Sequence, residues 1–103
     1  MLIFAGSASA EGLTVADAIG IIEATAASSG SCRVDIMVHG TDGLQSEDCK
    51  RFRKLMVKAS EAATALGGKD TKLTSEQNYI LGNSIRETEE NMAFIRATLD
   101  ASQ

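Results

Sequence analysis

The chain has one histidine, His39, with Asp35 and Asp42 close by and Ser46 a little further on. Those residue types can build a nucleophilic site, in which a hydroxyl attacks, an imidazole takes its proton and a carboxylate orients the ring. The hydroxyl must lie within hydrogen-bond reach of the imidazole, and no serine here stands in a nucleophile-elbow motif. The same histidine also reads as a loop residue at a turn, or as a pH sensor.

Metal and phosphate chemistry find less support. Cys32, Cys49 and His39 fall one ligand short of a structural zinc site. Asp42, Glu47 and Asp48 lack the regular oxygen spacing of a calcium loop. Gly67-Gly68-Lys69 lacks the rest of a phosphate-binding loop. Glu89 and Glu90 are adjacent and diverge on a helix, so they do not form an acid/base pair. The expectation is a protein with no metal and no cofactor.

Charge is the remaining source of chemistry. Lys50, Arg51, Arg53, Lys54 and Lys58 are half of the chain's ten basic residues. On a helix Lys50, Lys54 and Lys58 line up four apart, and an antiparallel neighbour brings Arg96 near Arg53. This face suits an anionic partner, or it is a solvated surface offset by Glu87, Glu89 and Glu90. The chain as a whole carries a net charge of −4. That disfavours a dedicated nucleic-acid binder, which needs clustered positive charge against phosphates.

The elements that position these groups follow from spacing and capping. With 103 residues, no proline and four aromatic side chains, the chain suits a single small domain of long helices filled by aliphatic residues. Thr14 caps a first helix, 14–28, whose face is Val15, Ile19, Ile22 and Ala26. Ser28-Ser29-Gly30-Ser31 reads as its stop, and Gly20 in its middle as a close approach to a neighbouring helix. Residues 32–39 alternate Val34, Ile36 and Val38 with polar or flexible neighbours, which predicts an extended segment, although one turn of helix also fits. The whole span 31–45 is expected to be irregular or extended.

Ser46 caps a second helix, 46–66, whose seam is Cys49, Phe52, Met56, Ala59, Ala63 and Leu66. Gly67-Gly68 supplies a positive-φ end. Thr74-Ser75-Glu76-Gln77 has the form of a capping box and opens a third helix, 74–101, with the seam Leu81, Ile85, Thr88, Met92, Ile95 and Leu99. The short loop between them makes these two helices antiparallel. Their seams then pair Leu66 with Leu81, Ala63 with Ile85, Ala59 with Thr88, Met56 with Met92, Phe52 with Ile95, and Cys49 with Leu99. The predicted fold is all-α: a three-helix bundle centred on an antiparallel helical hairpin.

Residues 1–10 combine an apolar stretch, Leu2 to Ala5, with the small-x-small run Ala8-Ser9-Ala10. They read as the remnant of a truncated signal peptide, leaving 11–103 as the helical domain. An exported chain would pair Cys32 with Cys49, stabilising it by about 3 kcal/mol; a cytoplasmic one would hold two buried thiols. No apolar run is long enough for a membrane-spanning helix. Together these features favour a non-enzymatic periplasmic or secreted protein, adaptor or chaperone-like. It would bind a protein partner or a second copy through its hairpin. A small enzyme or sensor built on His39, or anion binding by the Lys50–Lys58 face, is the alternative.

Overall fold

A computed structural model describes residues 13–68 and 71–102. The expected signal-peptide remnant, residues 1–10, lies outside the described residues. The element order is α1 (Val15–His39), a 3-10 helix (Gly40–Gln45), α2 (Glu47–Leu66) and α3 (Ser75–Ala101).

Each α-helix starts at the cap its sequence signals. The Thr14 hydroxyl accepts from the Asp17 N–H at 3.0 Å, and Ser46 accepts from the Cys49 N–H at 3.1 Å. At α3 the box closes in both directions: Thr74 Oγ1 accepts from the Gln77 N–H at 3.0 Å, and Gln77 Oε1 accepts from the Thr74 N–H at 2.9 Å. Each cap satisfies amides that a helix start otherwise leaves unpaired.

The first helix is longer than its sequence suggests. The Ser28–Ser31 run does not stop α1, and residues 32–39 are helical rather than extended. Tertiary packing overrides local preference here. The Ser29 hydroxyl donates to the Ala26 carbonyl at 2.6 Å, inside the helix, and is itself fully buried. Of the three alternating aliphatics, Ile36 alone is buried; Val34 and Val38 are exposed. A helix hides Cys32 and Ile36 together, four residues apart on one face.

Glycines also differ from expectation. Gly20 is exposed, and a Cβ there would meet nothing within 4 Å, so no neighbouring helix approaches it. Gly67 ends α2 at φ −81°, in ordinary space, with its N–H on the Ala63 carbonyl. The positive φ falls at Gly40, which caps α1 at +65°. Gly43 is the true close approach. A Cβ there would lie 2.7 Å from the Ile36 Cα, so the 3-10 helix lies directly on α1.

The three helices are arranged around α1. It packs against both α2 and α3, whereas among the described residues no Cα of α2 lies within 8 Å of one in α3. The three-helix all-α architecture stands, with α1 rather than the α2–α3 hairpin at its centre. Two apolar clusters fill it. Cys32, Ile36, Leu44, Cys49, Phe52 and Ile95 form one, and Ala18, Ile22 and Ala62 form the other, with Leu66 and Leu81 against it. Cys32 and Cys49 are joined by a disulfide, with Cα atoms 4.4 Å apart and both residues buried. Bonds of this kind form and persist mostly in oxidising compartments.

Candidate functional site

The two seams meet in the expected register without closing. Leu66 and Ala63 line one cavity with Leu81 and Ile85; Ala59 and Met56 line the next with Thr88 and Met92; Phe52 and Cys49 line a third with Ile95 and Leu99. Neighbouring cavities share residues, Ile22 and Ile85 at one junction, Met56 and Met92 at the other. They are therefore segments of one groove with α2 and α3 as walls. Ile22, Thr25 and Cys32 of α1 supply its floor.

Beside the disulfide the groove encloses a cavity of about 510 Å³. That is within the usual range of ligand pockets, which are mostly apolar with a few polar groups. Leu44 of the 3-10 helix also lines it. Arg53 and Arg96 supply charge, one from each wall. Arg53 Nη1 donates to the Leu44 carbonyl at 3.1 Å, which fixes one guanidinium at the rim.

The structure divides the expected basic face. Lys50 pairs with Glu47 at 3.7 Å and Arg51 with Asp48 at 3.6 Å, both exposed pairs within the first turns of α2. Lys54 and Lys58 are exposed and do not line the cavity beside the disulfide. Arg53 and Arg96 line one cavity of the groove from its two walls. His39 ends α1, exposed and with no side-chain hydrogen bond or ion pair among the described residues. No group of three or more metal-ligating side chains occurs among the described residues, and none of the described helices is long and apolar enough to cross a membrane.

Two polar features escape sequence reasoning. The first is a buried belt between α1 and α3: Asn91 Nδ2 donates to Ser29 Oγ at 3.0 Å, and Arg33 Nη1 donates to Asn91 Oδ1 at 3.2 Å. The Arg33 guanidinium also stacks over the Phe94 ring, 4.7 Å from its centre. The one available signal is Asn91 itself, a polar residue directly beside the Met92 seam position. The second is a carboxyl pair on α1 and α2. A hydrogen bond with the Asp35 side chain, then loss of solvent, then the Asp35 charge raise the Asp48 carboxyl from its ordinary value, against the lowering pull of Arg51. Nothing in the spacing of Asp35 and Asp48 announces that contact, because it depends on α1 continuing past residue 28.

Comparison with protein families, curated proteins and solved structures finds no match to this chain.

Proposed function

We propose that this chain is a non-enzymatic binding protein of the periplasm or extracellular space, and that it holds an amphipathic helix of a protein partner in the α2–α3 groove. The carrying observation is the open seam. Two regular apolar rows line opposite walls of a continuous groove; Cys49, Phe52 and Ile95 are buried in one cluster at one end of it, while Ile85 and Leu99 are left exposed along it. A row that regular is the pattern of a buried helix-helix contact. A helix laid between the rows would complete it, by the helix-in-groove mode of recognition. The disulfide supports the compartment.

The test is fluorescence anisotropy with an 18-residue helical probe peptide carrying leucines on one stripe and glutamines elsewhere. The wild-type protein should bind it, and Ile85→Glu, at a partly exposed wall position, should abolish binding with the helical circular dichroism unchanged. Equal binding by both proteins, or none by the wild type, would refute the proposal.

A further inference from the structure

Resting on the groove reading, we infer that the partner helix is acidic, with carboxylates on both flanks of its apolar stripe at the end that lies beside the disulfide. Arg53 and Arg96 line the same apolar cavity from opposite walls. Among the described residues neither has a carboxylate within 4.0 Å, although the neighbouring Lys50 and Arg51 both do. Arg53 spends one donor on the Leu44 carbonyl, out of five on a guanidinium. Two forked donors above an apolar floor recognise carboxylates in paired geometry.

A helix fits this arrangement better than a single-headed amphiphile. From Phe52 to Leu66 the wall runs about 21 Å at the α-helical rise, which is about four turns of an occupant. Positive charge on both walls calls for two negative groups either side of one stripe. Glu89 lines the middle of the groove on the α3 wall, so the positive character is confined to one end.

The experiment compares three 18-residue peptides with the same leucine stripe and with glutamate, glutamine or lysine at the two flanks of one end. Each is titrated into the wild type, Arg96→Glu, Arg53→Glu/Arg96→Glu and the outward-facing control Lys54→Glu. The glutamate peptide should bind the wild type about tenfold more tightly than the glutamine peptide. Arg96→Glu, whose side chain makes no hydrogen bond or ion pair among the described residues, should erase that preference. The double variant should prefer lysine, and Lys54→Glu should behave as wild type. Equal affinity of the glutamate and glutamine peptides for the wild type overturns the inference and leaves the groove reading standing. Loss of the preference in Lys54→Glu also overturns it. So does a wild-type dimer in sedimentation velocity that Arg96→Glu dissociates, because the occupant is then a second copy. Failure of all three peptides to bind overturns the groove reading as well.

Discussion

At the scale of single residues, the least expected side chains are polar ones inside the bundle. Asn91 is held by two partners from α1, and removing it leaves Ser29 buried with one partner fewer. Ser29 keeps its bond to the Ala26 carbonyl, so the cost is that of the two hydrogen bonds lost, about 1–3 kcal/mol together. Asn91→Ala should therefore lower unfolding stability by that amount in urea denaturation; an unchanged midpoint would show that the belt carries no net stability. The Asp35–Asp48 pair acts in the other direction. A raised carboxyl pKa means that the folded state holds a proton more tightly than the unfolded chain does. The stability from this group is present at low pH and is lost as pH rises through the raised value. Asp35→Asn removes the repulsion and leaves an amide able to donate to Asp48. Thermal melts should show the variant gaining on the wild type as pH rises from the carboxyl range to neutrality, with no difference in strong acid. A constant difference at all pH values would contradict this.

At the scale of elements, helix starts were legible and the end of α1 was not. Thr14, Ser46 and Thr74 signal their caps through local chemistry, which needs no knowledge of the fold. The continuation of α1 depends on distant partners. Ser29 is buried because Asn91 lies 62 residues away in sequence and next to it in space. Cys32 is buried because Cys49 is bonded to it. Ser28 and Ser29, which favour a stop in an isolated peptide, become small buried residues in the bundle. The disulfide then ties the last turns of α1 to the first turn of α2. Its loss should cost about 3 kcal/mol. For a domain of this size that is a fall in melting temperature of at least about 10 °C. Cys32→Ala/Cys49→Ala, or the wild type under reductant, checks it; a fall of a degree or two would show that α1 is held without the bond.

At the scale of the whole molecule, the order in which the two seams run alongside each other was legible, and their separation was not. Matching a heptad row on α2 with one on α3 finds the register of the walls. It cannot find that α1 lies beneath them. A helix packed on both flanks hides residues around more of its circumference than the single face Val15, Ile19, Ile22 and Ala26 predicts. Several of its buried positions are also small, Ala18, Thr25, Ala26, Ser28 and Ser29, set among Ile19, Ile22 and Ile36. Small side chains let α2 and α3 each pack close to α1 while their own seams stay apart. The same arrangement turns a predicted core into a groove, and turns Arg53 and Arg96 from surface charge into its rim.

The groove is tested most directly by methyl NMR on labelled methionines. Met56 and Met92 face each other across it, while Met37 sits exposed near the end of α1 and lines none of its segments. On adding the acidic helical peptide, the Met56 and Met92 methyl signals should shift together and saturate, with Met37 unmoved. A shift confined to Met37, or no shift at either groove methionine at saturating peptide, would contradict the account.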